Sequence, residues 1–397
     1  MAVYLDYNAT APIRPEAREA ALCALDIGGN PSSVHAHGRL ARAAVEQARS
    51  EVADLVGASP EAVTFTSGGT EANALAITSA IAAGAKKPIV LMTEHDSTLN
   101  TATSSGLWTE AWPVSSDGVA SLDWLRDRLQ TWRKEDGAPF AALSLANHET
   151  GVVQPVAEAA AIVHAAGGWL HVDAVQAAGK IVVDIQALGA DTLSLSAHKL
   201  GAPQGVGALV SSPRARLQRR QFGGGQERGL RAGTENLSGI AGFGAAAGAA
   251  LRDLPFVDHQ ASWRDVAAER LKAEGCIVAG EGAPRLPGTL CIVCDGWDSQ
   301  LQVMALDLAS VMVSAGSACS SGKVTPSHVL AAMQMAGMTA TARTSSQLLT
   351  AMKAAGLTGG FGLRASGGWA TLEDDWVKFA DAWTFAHARH SNRRKVA

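Results

Sequence analysis

Short apolar runs alternate with helical stretches over the first 250 residues of the chain. Residues 38–56, GRLARAAVEQARSEVADLV, set Ala41, Val45, Ala48, Val52 and Leu55 at intervals of four and three, the stripe of an amphipathic helix. AVTFT (62–66) reads as a strand followed by a helix from near Thr70. PIVLM (88–92), AALSLA (141–146), WLHVD (169–173), TLSLS (192–196) and VGALV (206–210) read as further strands. Continuous apolar runs separated by helices predict an α/β fold with a mostly parallel sheet covered on both faces. A second unit follows with helix, strand, helix, strand, a small-residue segment and more helices. Its strands include GTLCIVCDG (288–296) and a last one at GFGLRAS (360–366); a terminal helix begins near Glu373. The expected division is a large domain over 15–250 and a smaller α+β domain over 251–397, to which residues 1–14 are assigned.

One internal repeat interrupts the second unit. SHVLAAMQMAGMT (327–339) and SQLLTAMKAAGLT (346–358) match at 7 of 13 positions, offset by 19. A duplicated helix with its glycine stop accounts for it, since two copies are too few for a solenoid.

The length of 397 residues fits two cores better than one. A net charge of −4 gives no electrostatic case for nucleic acid or an anionic membrane as partner. No apolar run approaches the roughly 20 residues of a spanning helix. The opening MAVYLDYNAT has neither a signal-peptide nor a transit-peptide pattern, so a cytoplasmic location is the default expectation. Five cysteines (23, 276, 291, 294 and 319) are too few and too scattered for a disulfide framework. The C-x-x-C of Cys291 and Cys294 sits in a buried-strand context without a second such pair, which favours packing over metal binding. Cys319 stands in SAGSACSSG (314–322), a stretch too small to pack a core.

Four stretches fall at the carboxyl ends of predicted strands, where open α/β sheets bind ligands. TSGGTEAN (66–73) brings Gly68, Gly69 and Thr70 to a helix start, an anion cradle or else a plain turn. HVDAVQAAGK (171–180) ends a strand on Asp173, with Gln176 close behind. That acid either meets a cation or donor or caps a helix. SLSAHKLGAPQG (194–205) sets Lys199 after a strand, between Ser196, His198 and a Gly-Pro loop. A lysine in such a cleft can form a Schiff base; on a surface it is a solvated charge. TEHDS (93–97) places His95 just past PIVLM. Cradle, histidine, buried acid and strand-end lysine, in that order, suit pyridoxal 5′-phosphate.

The chain resembles the cysteine desulfurases, the pyridoxal-phosphate enzymes of iron–sulfur cluster assembly and nitrogen fixation. The resemblance runs through YLDYNATAP, NPSSVHAHGR, TFTSGGTEANALAI, ANHETGVVQPV, HVDAVQAAGK, SLSAHKLGAPQGVGALV, GGGQERGLRAGTEN, VSAGSACSSG and GLRASGGW. It implies the pyridoxal-phosphate fold of type I, whose large domain holds a seven-stranded sheet. It implies that Lys199 carries the cofactor's aldehyde, Asp173 pairs with the pyridine nitrogen, Gln176 with the ring hydroxyl, and His95 stacks on the ring and moves protons. Gly69, Thr70, Ser196 and His198 would bind the phosphate, and Thr234 the phosphate of a partner subunit in a homodimer. Asn147 and Arg364 would hold the carboxylate of L-cysteine, and Cys319 would take its sulfur as a persulfide for a sulfur-acceptor protein such as an iron–sulfur scaffold. No metal ligands are implied. Two departures stand out: His148 replaces the second residue of an Asn-Asn-Glu often found in the family, and the duplication lengthens the spacing from Cys319 to Arg364. A selenocysteine lyase or another lyase or aminotransferase on the same scaffold is the alternative of like class; a cysteine-based metal or cluster scaffold is the alternative of another class.

Overall fold

The structure is a computed structural model that describes residues 2–316, 326–336 and 362–396, with side chains to residue 392. Strands and helices are numbered along the chain. β1 (Val3–Tyr4) opens it and leads to α1 (Pro15–Ile27), α2 (Ala36–Leu55) and β2 (Val63–Thr66). Then come α3 (Gly69–Ala82), β3 (Ile89–Leu91), α4 (Asp96–Ser104), β4 (Glu110–Trp112), α5 (Leu122–Gln130), β5 (Phe140–Ser144), α6 (Val156–Ala165), β6 (Trp169–Asp173), β7 (Thr192–Ser196) and β8 (Gly207–Ser211).

β2 to β8 form a seven-stranded sheet in the order β2-β8-β7-β6-β5-β3-β4. Its inner pairs are parallel, and β8 alone runs against its neighbours. The reason is length. Parallel pairing needs a crossover of about a dozen residues or more, and only a short turn and loop separate Ser196 from Gly207. The apolar runs serve both faces by period-two alternation. Ile89 and Leu91 join one core with Val45, Val52 and Phe243, whereas Val90 joins another with Ile77 and Leu99. Two elements lacked a clear pattern in the sequence. β4 is three residues long, and α1 has Pro15 at its first position and stops at Gly28, whose φ of 58° suits glycine.

The chain continues through α7 (Leu237–Asp253), α8 (His259–Ala273), β9 (Ile277–Val278), β10 (Thr289–Val293), α9 (Ser299–Leu308), β11 (Val311–Met312), β12 (Ser314–Ala315), α10 (His328–Gln334), β13 (Gly362–Ser366) and a C-terminal helix, Glu373–Val396. β12, β13, β10 and β9 form an antiparallel sheet in that order. β1 pairs in parallel with β11, and the Asn8 N–H donates to Ser366 Oγ at 3.0 Å, so the N-terminal segment packs with this second sheet. Leu5, Leu290, Ile292, Leu363, Trp376, Phe379 and Trp383 make its core. α10 takes up the first copy of the duplicated segment; the second copy lies outside the described residues.

Candidate active site

Where β6, β7 and the β2–α3 turn end, they enclose a cavity of ≈ 310 Å³. Eight residues singled out in the sequence line it: Gly69, Thr70, His95, Asp173, Gln176, Ser196, His198 and Lys199. β6 ends on Asp173 and β7 on Ser196, and a single 3-10 turn, Ala197–Lys199, lifts His198 and Lys199 to the rim.

The floor is hydrogen-bonded throughout. Asp173 accepts from the Val175 N–H at 2.9 Å and from Asn73 Nδ2 at 2.7 Å. Asn73 is oriented in turn by His171, whose Nε2 meets its Oδ1 at 2.9 Å while Nδ1 meets Thr192 Oγ1 at 2.9 Å. Burial pushes the His171 imidazole down to about 4, so it is neutral near pH 7 and Nε2 is the donor. Lys199 Nζ donates to the main-chain oxygens of Asn8 and Ala9 at 2.5 and 2.7 Å. Gln176 Nε2 donates to the same Asn8 oxygen at 2.9 Å. Lys180 Nζ spans Asn8 Oδ1 and Gln176 Oε1 at 2.7 and 2.9 Å. Burial, then the charges of Lys199 and Arg364, hold its amine well below the ordinary lysine range. His198 Nδ1 lies 3.1 Å from Thr10 Oγ1, and burial with the Lys199 charge pushes it down to about 4.

The opposite wall is built of imidazoles. His95 caps α4 by accepting the Ser97 N–H on Nδ1 at 3.1 Å, which puts the proton of the neutral ring on Nε2. Burial lowers its pKa against the pull of Asp173 and Asp96. His148 stands edge-on to it, centroids 5.4 Å apart, and His328 follows at 6.2 Å. Behind them Glu94 is fully buried with Oε2 unpartnered, and burial with the Asp173 charge pushes its carboxyl up to about 8. None of His148, His328, Glu94, Asn73, Lys180 and Asn8 carried a role in the sequence reading, although His148 was marked as a departure.

Four predicted residues fall elsewhere. Ser144, Ala146 and His148 line the cavity, and the alternation of extended chain turns Asn147 away from it. Its Oδ1 accepts from the N–H groups of Glu149 and Thr150, and Nδ2 donates to Thr93 O at 2.9 Å. Arg364, on β13, is 1% exposed beyond the cavity lining. It donates to His148 O at 3.1 Å and to Asp6 Oδ1 at 3.0 Å, and its Nε is buried without a partner. Thr234 is exposed away from the cavity, and Cys319 lies outside the described residues. The C-x-x-C is not a joined pair. Cys291 sits opposite Arg364 in the large core, whereas Cys294 lies in the smaller core with Cys276.

The chain matches the class-V aminotransferase family over residues 3–357. It is 41% identical over 345 residues to a cysteine desulfurase of Cereibacter sphaeroides, covering 84% of this chain and 87% of that one. A cysteine desulfurase IscS 1 of Archaeoglobus fulgidus is 36% identical, with 83% and 87% covered. Among solved structures, a NifS-like protein from Rickettsia africae superposes with a TM-score of 0.84 at 29% identity, covering 98% of this chain and all 100% of that one. SspA, solved in complex with cysteine, gives a TM-score of 0.71 at 27% identity over 92% and 98% of the two chains. With a strand-end lysine, a buried acid and a helix-start cradle around one cavity, and with relatives of this similarity along most of its length, the chain belongs to the class-V aminotransferases and, among them, to the cysteine desulfurases.

Proposed function

We propose that the cavity binds pyridoxal 5′-phosphate, that L-cysteine is the substrate, and that its sulfur passes to Cys319. The observation that carries this reading is the donor set of the cavity. The Thr70 and Ser196 hydroxyls line it without a bond to any described residue. Gly69 lets the backbone come close, since a Cβ there would sit 2.7 Å from Val175 Cγ2. These groups, with His198 and the start of α3, suit a phosphate dianion. Asp173, held as an acceptor, suits a protonated pyridine nitrogen; Gln176 suits the ring hydroxyl and Lys199 the aldehyde. When bound, the cofactor supplies an electron sink for charge developing at the substrate's α-carbon.

The chain's own groups do the rest. The Lys199 amine would take the substrate's α-proton and return it. The backbone oxygens of Asn8 and Ala9 fix where that amine stands. Arg364 suits the substrate carboxylate, because its Nε has no partner and a guanidinium binds carboxylate with two parallel bonds. His95 is the ring-stacking imidazole. Cys319 attacks the substrate sulfur as a thiolate and then hands it to an acceptor protein. A second copy of the chain would bring Thr234 to the phosphate.

Turnover of L-cysteine by the wild-type chain and by Lys199→Ala and Cys319→Ala variants tests the reading. Alanine and protein persulfide should form together in the wild type and in neither variant. Alanine release by Cys319→Ala at the wild-type rate would remove Cys319 from the scheme.

A further inference from the structure

The turn that follows β6 sets two polar side chains on one face. The Ala177 N–H bonds back to Ala174 O and the Lys180 N–H to Ala177 O, so Gln176 and Lys180, four residues apart, stand side by side. Gly179 makes that turn possible. Its φ is 71°, and a Cβ there would fall 2.4 Å from Leu200 Cδ2, next to Lys199 in the chain. The stretch QAAGK is thus folded so that its lysine reaches back to its glutamine.

Each orientation in this group is settled by chemistry. Asn8 Nδ2 donates to the main-chain oxygen of His148 at 3.3 Å and to Thr289 Oγ1 at 3.2 Å, which turns Asn8 Oδ1 toward Lys180. The main-chain oxygen of Asn8 can only accept, so the end of Gln176 that meets it at 2.9 Å is the amide nitrogen. Gln176 Oε1 therefore faces Lys180 Nζ, 2.9 Å away. A lysine nitrogen has two N–H bonds even when neutral, one for each of these oxygens. The Gln176 amide is held at both ends. One of its N–H bonds goes to Asn8; the other has no partner among the described residues, and Gln176 lines the cavity.

We propose that Lys180 is a positioning residue for the cofactor's ring hydroxyl: by holding Gln176 Oε1 and Asn8 Oδ1, it fixes the second Gln176 N–H as a donor to that oxygen. The inference rests on pyridoxal 5′-phosphate being the cofactor. Lys180 is absent from the lining of the cofactor cavity. It borders a separate cavity of ≈ 40 Å³, shared with Lys199, Tyr7 and Arg14. It therefore acts through Gln176 and does not touch the ring. Without Lys180, Oε1 would lose its partner, and an amide held at one end can turn its oxygen toward the ring. A fixed donor favours the deprotonated ring oxygen, whereas an acceptor disfavours it. Lys199 and Arg364 are the charged groups that act on Lys180, and both favour its neutral form, which keeps both bonds.

The test reads cofactor binding by the full chain, with pyridoxal 5′-phosphate and with 3-deoxypyridoxal 5′-phosphate, the analogue lacking only the ring hydroxyl. Lys180→Met should weaken binding of pyridoxal 5′-phosphate about tenfold, the loss of one hydrogen bond, and leave the 3-deoxy analogue bound as by the wild type. Lys180→Gln, which keeps a polar group of shorter reach and guards against misfolding, should show the same selective loss. Lys180→Arg also donates to two oxygens and should restore most of the affinity. In a Gln176→Leu background, Lys180→Met should cost no more than about twofold, because two residues acting through one bond are not additive. Wild-type affinity in Lys180→Met, an equal loss for both compounds, or full additivity with Gln176→Leu would each overturn the proposal. A wild-type chain that binds neither compound would instead overturn the cofactor assignment.

Discussion

The two walls of the cavity are built on opposite terms. On the floor, Asp173, Asn73, His171, Gln176, Lys180 and Lys199 all have their polar atoms engaged by protein. On the imidazole side, Glu94 Oε2, Ser144 Oγ and Arg364 Nε are buried without partners, and neither ring nitrogen of His148 bonds to a described residue. A saturated network fixes geometry before any ligand arrives. An unsatisfied one holds desolvated groups that gain most when a ligand supplies the missing bond. The floor therefore sets position and the opposite wall responds.

The sharpest way to break this contrast is to strip the floor of its chemistry. Lys199→Ala should cut alanine formation from L-cysteine by about 10⁴-fold while the circular dichroism spectrum is unchanged. Next in size is Asn73→Leu, which takes a donor from Asp173 and an acceptor from His171. It should cost about 3 kcal/mol of stability, read from the denaturant midpoint. On the other wall, Arg364→Lys keeps a charge for Asp6 but gives up the second donor direction. About 1.5 kcal/mol of lost binding is roughly a tenfold rise in KM for L-cysteine, with a smaller change in stability than Asn73→Leu.

The smallest effect concerns Glu94. Burial, then the Asp173 charge, raises its carboxyl from 4.5 to about 8. Between those values the folded chain holds a proton that the unfolded chain has released. The stability this gives is complete below pH 4.5 and is lost as pH rises through 8. Glu94→Gln cannot lose that proton. Its melting temperature should match the wild type at pH 5 and exceed it by about 2 °C or more at pH 9. Equal curves at both pH values would mean that the imidazole side is no less satisfied than the floor.

The floor was the more legible wall. Asp173, Ser196 and Lys199 end or follow apolar runs, so a one-dimensional pattern already placed them on one sheet edge. Asn73 and His171 lay inside the motifs read, but their role exists only because α3 crosses β6 and brings Asn73 onto His171. The imidazole side needed more. His148 and His328 are 180 residues apart in number, and nothing local to either predicts that their rings meet. Asn147 was assigned by resemblance, and the turn of the extended chain after β5 sends its side chain into the loop. The six strands read from the large sheet were long apolar runs; β4, only three residues long, carries too little pattern to stand out.

The clamp on Lys199 also has a date in the life of each molecule. Asn8 supplies one of the oxygens that hold the amine, yet Asn8 itself is pinned by Ser366, 358 residues further along. On a ribosome adding 5–20 residues per second, roughly 20–70 s pass between the synthesis of the two. Throughout that interval Asn8 waits without the strand that pins it. A nascent chain can build the large domain and expose its lysine long before anything tethers the loop that will hold it. The reactive amine is completed last, when almost the whole protein has been made.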